Sequence, residues 1–274
     1  MDRRLTQRAV HVVSPVPGQH PPPYILLGNG AVAGRFLAAM QTRDTLPRLL
    51  ILNDVSRQRS VAPMRAIVAG HDVPVLEWTK PGQEAVLRIA HETPDVWLLS
   101  VYFGHRVGKE LLDAVNGRAV NLHPSLLPWC RGTHTNVWPL VERCPAGVTL
   151  HAMVPEIDAG PVLIQREVAV KASDTGGTLY RKLEEAALQM LLDSWPQLVL
   201  EAWPGEAPTG QSTRHRVADF ERVQSYEMPE SGPVREFFDL LRARSFPPHR
   251  GLRIEVDRGT VEATVELREY PDED

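Results

Sequence analysis

Short apolar runs alternate with amphipathic segments through the first half of the chain. Strand-like runs cover residues 24–27, 46–54, 73–78 and 96–103, and helix-like segments cover 31–40, 82–92 and 107–115. A parallel strand pair needs a connection long enough to hold a helix, so this alternation indicates parallel βαβ units. The pattern therefore predicts an α/β protein with an open, doubly wound sheet.

A glycine turn joins the first predicted strand to the first predicted helix. Gly28, Gly30 and Gly34 follow the strand, and Asp54 comes roughly twenty residues later, which is close to a dinucleotide-binding fingerprint. The spacing is G-x-G-x-x-x-G, however, and glycines also let a chain pass from a strand into a helix packed tightly on its sheet. We favour the packing turn over a nicotinamide site.

Three polar side chains fall in two loops at predicted strand ends. NLHPSLLPWCRG (121–132) contains Asn121 and His123, and the loop between the strand-like runs 147–154 and 161–170 contains Asp158. Loops at the ends of sheet strands are where α/β proteins gather their chemistry.

These three residue types make a coherent set for acyl transfer. Asn121 can donate an amide N–H to an oxygen that becomes negative. His123 projects to the same side of an extended segment and can accept a proton near neutral pH. Asp158 can orient the imidazole and stabilise its charged form. The alternative is a histidine that only forms structural hydrogen bonds, which is the commoner role in such a loop.

Composition limits the kinds of partner that the chain can have. With 43% hydrophobic and 23% charged residues in 274, the chain is typical of a globular protein. A net charge of −4 provides no general attraction for nucleic acid. No apolar window approaches the length of a membrane span or a secretory signal, so we expect a cytoplasmic protein that does not enter a membrane.

The metal-ligating residue types show no recognisable spacing. Cys130 and Cys144 are too far apart for a C-x-x-C site and too few for a disulfide framework. The histidines fit no helix-borne ligand pattern; they are His105, His123, His134 and His151. We therefore predict no metal.

The chain divides into three parts. A proline-rich arm covers residues 1–23, a catalytic domain 24–204, and a linker with a small C-terminal module 205–274. In the module, a helix precedes two alternating runs that predict a hairpin with one apolar face, formed by Leu252, Ile254, Val256, Val261, Val265 and Leu267. A lone hairpin is marginal in water, so it must pack on the main domain or on another subunit.

Two segments of the chain resemble the folate-dependent formyltransferase family: NLHPSLLPWCRG and, after it, GVTLHAMVPEIDAGPVL. In these segments Asp158 comes thirty-five residues after His123. The resemblance covers roughly residues 24–200 and implies a Rossmann-like, mostly parallel sheet that uses N10-formyltetrahydrofolate as formyl donor. It implies that Asn121 binds the formyl oxygen, that His123 helps to deprotonate the attacking amine, and that Asp158 positions His123. It also displaces the nicotinamide interpretation of the glycine turn.

The resemblance assigns further residues around these three. The pterin pocket would be lined by backbone from the loop after the fourth strand and from the segment around Asp158, at Tyr102, Phe103, Gly104, Arg106, Val107, Met153, Val154 and Ile157. Many relatives read I-L-P where this chain reads Arg106-Val107-Gly108. On the substrate side, Ser125 and Arg131 would brace the loop or meet an anionic group, and Trp129 would stack on a ring or complete the core.

The sequences around and after this loop bear on which amine is formylated. Three segments resemble the corresponding segments of sugar-nucleotide N-formyltransferases: LPWCRGTHTNVWPL, RHRVADFERV and FFDLLRARSFPPHRGLRIEV. We therefore expect a primary amine on a nucleotide-linked amino sugar as the substrate, and a homodimer. The alternatives are a methionyl-tRNA formyltransferase, a hydroxyornithine formyltransferase, and a folate- or nucleotide-binding module without turnover.

Overall fold

The computed structural model describes residues 22–198, 205–223, 225–227, 234–256 and 259–269. Its strands are β1 Tyr24–Gly28, β2 Leu49–Leu52, β3 Val75–Glu77, β4 Trp97–Val101, β5 Ala119–His123, β6 Arg131–Gly132, β7 Gly147–Ala152, β8 Val162–Glu167, β9 Arg214–His215, β10 Ser225–Glu227, β11 Leu252–Val256 and β12 Gly259–Ala263. Its α-helices are α1 Gly30–Thr42, α2 Ala62–Val68, α3 Lys80–Glu92, α4 Lys109–Ala114, α5 Trp138–Val141, α6 Gly176–Leu198, α7 Val217–Arg222 and α8 Val234–Arg244.

The main sheet has seven strands in the order β3-β2-β1-β4-β5-β7-β8. Strands β1 to β5 are parallel, and β7 and β8 are added antiparallel at one edge. Neighbouring residues of β1 enter different cores: Leu26 packs with α1 and α6, and Ile25 and Leu27 pack with α3 and α4. Burial on both faces explains why these strands are continuous apolar runs. The predicted doubly wound, mostly parallel sheet is confirmed.

The glycine turn after β1 packs against a neighbouring loop. Gly30 has a φ of +76°, a conformation that glycine adopts without steric cost. Its N–H donates to the Arg59 carbonyl, and Asn29 Oδ1 accepts from the Arg59 N–H. These bonds tie the start of α1 to the segment before α2, a helix that the sequence pattern did not predict.

Helix α6 covers one face of the sheet. Its fully buried Trp195 lies 5.2 Å from Tyr24 and 6.3 Å from Phe36 between ring centroids, both edge to face. Among the described residues, no helix is long and apolar enough to cross a bilayer.

The C-terminal module is a three-stranded sheet, β10-β11-β12, with α8 beside it. Leu252 and Ile254 are buried with Leu240 of α8, and Val141 of α5 packs against them. The predicted hairpin exists but is shorter than expected: β12 ends at Ala263, so Val265 and Leu267 lie beyond it. Four parts of the predictions lie outside the described residues: the side chain of Val256, the turn at 257–258, the proline-rich arm through residue 21 and the domain boundary at 204.

Candidate active site

Asn121 lies in the middle of β5, where its carboxamide is held from both ends. Ser100 Oγ on β4 donates to Asn121 Oδ1 at 2.7 Å, and Asn121 Nδ2 lies 3.1 Å from His151 Nε2 on β7. The antiparallel register of β5 and β7 places Asn121 directly opposite His151. Because Nδ2 carries two hydrogens and His151 takes one, the other remains available to an incoming oxygen.

His151 is a member of the site that the sequence did not identify. Its ring is buried, and its Nδ1 donates to the Ala152 carbonyl at 2.9 Å, which leaves Nε2 as the acceptor for Asn121. Burial, followed by the charge of His123, lowers the pKa of His151 to about 4. The imidazole is therefore neutral at physiological pH, as the hydrogen bond from Asn121 requires.

His123 and Asp158 meet at the carboxyl end of β5. His123 Nδ1 lies 3.6 Å from Asp158 Oδ1, and His151 Nε2 lies 3.8 Å from the same oxygen. The side chains of His123 and Asp158 are only 7% and 9% exposed. The fold thus brings Asn121, His123 and Asp158 into one connected cluster, with His151 between the amide and the carboxylate.

The Asp158 loop is braced by backbone and guanidinium contacts. Asp158 has a φ of +51° and accepts from the Gly132 N–H at 3.0 Å through Oδ2. Arg131 donates to the Ile157 carbonyl and lies 3.6 Å from the Glu156 carboxylate. Arg131 therefore has the loop-bracing contacts that were one of its two predicted roles.

Residues predicted to line the pterin pocket lie on two adjoining segments. Arg106 Nε donates to the Pro155 carbonyl at 2.9 Å, which joins the loop after β4 to the segment before Asp158. Three of the predicted side chains share one apolar cluster, and two are exposed next to Asp158; the five are Phe103, Val107, Met153, Val154 and Ile157. The Gly104 N–H donates to Asn53 Oδ1, which ties the loop after β4 to the residue that follows β2.

Tyr102 faces a different side of the sheet from the other predicted pterin-lining residues. Its ring packs on the core beneath α1 and α6, and burial raises the pKa of its hydroxyl. The structure therefore does not bring the Tyr102 side chain to Met153 and Phe103, because Tyr102 follows β4 with a φ of +55° and its side chain packs in the same core as Val101.

The two remaining substrate-side candidates serve the loop and the core. Ser125 is 3% exposed, and its carbonyl accepts from Thr149 Oγ1 at 2.7 Å. Trp129 is half-buried and packs against the main core. The Ser125 hydroxyl is buried, whereas Trp129 keeps part of its side chain exposed.

Comparison with known proteins identifies relatives for both parts of the chain. Residues 65–194 match the formyl transferase family, and residues 219–269 match the dimerization C-terminal domain of N-formyltransferases. A dTDP-4-amino-4,6-dideoxyglucose formyltransferase from Mycobacterium bovis is 28% identical over 146 residues. That stretch is 53% of this chain and 62% of the relative, so the match spans less than two thirds of the relative's length.

Two solved structures share the fold over most of their length. A sugar N-formyltransferase from a Shewanella species has a TM-score of 0.75 at 21% identity, covering 91% of this chain and 99% of that one. An N-formyltransferase from Helicobacter canadensis, in complex with folinic acid and dTDP-3-aminofucose, has a TM-score of 0.69 at 18% identity and covers 86% and 85%. The family matches confirm the resemblance on which the motifs were interpreted: residues 65–194 are similar to formyl transferases, and residues 219–269 to the dimerization domain of N-formyltransferases.

Proposed function

We propose that this chain moves a formyl group from N10-formyltetrahydrofolate to the primary amine of a nucleotide-linked amino sugar. The observation that carries the proposal is the buried cluster of Asn121, His123 and Asp158, connected through His151. An amide, an imidazole and a carboxylate can stabilise a developing oxygen anion and move a proton. The amine therefore attacks the formyl carbon directly, and no side chain of the protein acts as nucleophile.

Asn121 stabilises the charge that develops on the formyl oxygen. Ser100 and His151 hold its carboxamide in one orientation, so its free N–H is positioned before substrates bind. A preorganised donor of this kind costs little reorganisation when charge develops and contributes roughly 100- to 1,000-fold to kcat.

His123 accepts the proton that the attacking amine loses. Asp158 keeps the imidazole oriented and stabilises its charged form. The distance of 3.6 Å between His123 Nδ1 and Asp158 Oδ1 is longer than a hydrogen bond, and catalytic contacts of this kind commonly tighten when substrates bind.

The apolar surface beside Asp158 fits a flat aromatic ligand. Val154 and Ile157 are 36% and 44% exposed, and Met153 and Phe103, on the two segments predicted to line the pocket, pack on one apolar cluster. Binding sites for small organic ligands are mostly apolar with a few convergent polar groups. We assign this surface to N10-formyltetrahydrofolate, which supplies the formyl group.

The substrate class follows from the relatives and from the small C-terminal module. The Mycobacterium bovis relative is named for a dTDP-linked amino sugar, and the Helicobacter canadensis structure contains one. The net charge of −4 does not favour tRNA as the carrier of the amine. Arg131 donates to the Ile157 carbonyl of the Asp158 loop, and a guanidinium has further donors that can meet the phosphates of the substrate.

We further propose a division into a catalytic part, 24–204, and a dimerizing part, 205–274. The match of residues 219–269 to a dimerization domain supports this division. Val261 pairs with the buried Ile254 across the hairpin, yet its own side chain is 48% exposed. This exposed apolar side chain is available to contact a second copy of the chain. The two unbonded thiols, Cys130 and Cys144, fit a reducing compartment, and we propose the cytoplasm.

A panel of amines tests the proposal. The protein would be incubated with N10-formyltetrahydrofolate and, separately, dTDP- and UDP-linked 3-amino and 4-amino sugars, hydroxyornithine, and methionyl-tRNA. We expect tetrahydrofolate release and a formylated product only with nucleotide-linked amino sugars. Formylation of tRNA or hydroxyornithine alone would overturn the substrate class, and donor binding without turnover on any amine would overturn the enzymatic proposal.

Site variants separate the chemistry from folding. His123→Gln and Asp158→Asn should each lose most turnover with unchanged urea unfolding midpoints. The matched control is His91→Gln, an exposed histidine at the end of α3, which should retain full turnover.

A further inference from the structure

Two thiols and a carboxylate meet behind the loop that carries His123. Cys130 Sγ lies 3.3 Å from Cys144 Sγ, and these sulfurs and a carboxylate oxygen of Glu142 all lie within 4.8 Å of one another. Cys130 is fully buried, Cys144 is 8% exposed, and the Glu142 side chain is 32% exposed. None of these groups takes part in the proposed formyl transfer.

We propose that Cys130, Glu142 and Cys144 bind a thiophilic divalent cation, with Zn²⁺ as the ion expected from the ligands. Sulfur ligands favour Zn²⁺ over Mg²⁺ or Ca²⁺, which prefer oxygen. With Zn–S bonds of about 2.3 Å, a tetrahedral ion holds its two sulfurs about 3.8 Å apart. The thiols therefore need to separate by only about half an ångström.

A neighbouring histidine holds the carboxylate ligand in place. His215 on β9 places Nε2 3.1 Å from Glu142 Oε1, and its ring stacks at 3.8 Å on Trp138. Carboxylates that bind metals are themselves commonly held by a second polar group. A disulfide between the two cysteines would give neither Glu142 nor His215 a role, and this difference favours the cation.

The site is open to solvent on one side. Because Glu142 is partly exposed, an ion can reach the thiols from that side, and water supplies its fourth ligand. Binding converts both thiols to thiolates, and the two protons are released to the solvent. The two positive charges of the ion then offset two of the three negative charges of the thiolates and the carboxylate, and the net charge of −1 lies on the side that is open to solvent.

The position of the site implies a structural role. Cys130 directly precedes Arg131 and Gly132, which brace the Asp158 loop, and the backbone N–H of Cys130 donates to Thr213 Oγ1 at 2.8 Å. A bound ion would fasten this segment to the residues that lead into β7. We expect the loaded protein to unfold at a higher temperature than the metal-free protein.

Cobalt absorption provides a direct test, because the chain contains only two cysteines. Untagged, reduced and chelator-dialysed protein would be titrated with Co²⁺ alone. We expect a sulfur-to-cobalt charge-transfer band that saturates near one ion per chain and disappears when Zn²⁺ is added. No such band in the wild-type protein would overturn the proposal.

Variants and a thiol count distinguish a bound cation from a disulfide and from binding elsewhere on the protein. Cys144→Ser should abolish the band, and Glu142→Gln should weaken Co²⁺ binding at least about tenfold. Glu92→Gln, an exposed glutamate at the end of α3, is the matched control and should bind like the wild type. Wild-type binding by Glu142→Gln would contradict the ligand set. Protein purified without reductant should show two free thiols after denaturation, and none would overturn the proposal in favour of a disulfide.

Discussion

The neutral state of His151 has a measurable consequence for stability. Its Nε2 accepts from Asn121 Nδ2, and its Nδ1 donates to the Ala152 carbonyl. Protonation of Nε2 would therefore make the Nε2–H of His151 and the Nδ2–H of Asn121 two donors that face each other without an acceptor. The replacement His151→Gln removes the titrating group and keeps an amide oxygen and an amide N–H that can replace these two roles. We expect this variant to lose a pH dependence that the wild-type protein has.

The magnitude follows from the shift in the pKa of His151. Its folded pKa is about 4, against an ordinary value of 6.5. Between these values the unfolded chain binds a proton that the folded protein does not, so the free energy of unfolding falls as the pH falls. The loss begins near the unfolded pKa and is complete below the folded one. From about pH 7.5 to about pH 5 it amounts to about 2 kcal/mol, out of a total of about 3 kcal/mol.

Urea unfolding at the two pH values measures this difference. The free energy of unfolding of the wild type should fall by about 2 kcal/mol more than that of His151→Gln. His91→Gln, with an exposed side chain on α3, serves as the control and should behave like the wild type. An identical pH dependence in wild type and His151→Gln would refute a neutral, buried His151.

Three further predictions concern the loop, the core and the dimer. At Gly132 φ is +100°, and an added Cβ would lie 2.1 Å from the His215 carbonyl oxygen. Gly132→Ala should therefore lower turnover and reduce the free energy of unfolding in urea by about 1–3 kcal/mol more than Gly210→Ala does. Gly210 is the control because it has a similar φ and open space around it. Trp195→Ala should cost about 3–5 kcal/mol by the same method, because Trp195 is fully buried against Tyr24 and Phe36, whereas the exposed Val55→Ala should be nearly neutral. Val261→Asp should dissociate a dimer in sedimentation velocity, while Thr260→Asp, on the other face of β12, should not.

The central sheet was predictable because of how its strands are buried. Strands β1, β2 and β4 are covered on both faces, so each is an unbroken apolar run that needs no partner to be recognised. Helix α2 was missed because it has seven residues and a proline at its second position. The hairpin face was overextended to Val265 and Leu267 because alternation continues past Ala263, where pairing stops.

The site was predictable only where it depends on local geometry. Asn121 and His123 are two residues apart on one strand, so their shared direction follows from the strand period. The part played by His151 depends on the register between β5 and β7, which tertiary packing determines. The same holds for Cys130 and Cys144, whose spacing matches no ligand pattern until the fold brings them together.

The rate of formyl transfer by Asn121→Ala, measured in a single turnover at saturating substrates, tests the central claim most directly. Asn121 is the side chain that would stabilise the developing oxygen anion, so its removal should slow the transfer step by about 100- to 1,000-fold. Donor affinity should change little, and urea unfolding should show that the variant is folded at the assay temperature. A folded Asn121→Ala variant that transfers the formyl group within about twofold of the wild-type rate would contradict the account, since one lost oxyanion donor is expected to cost far more.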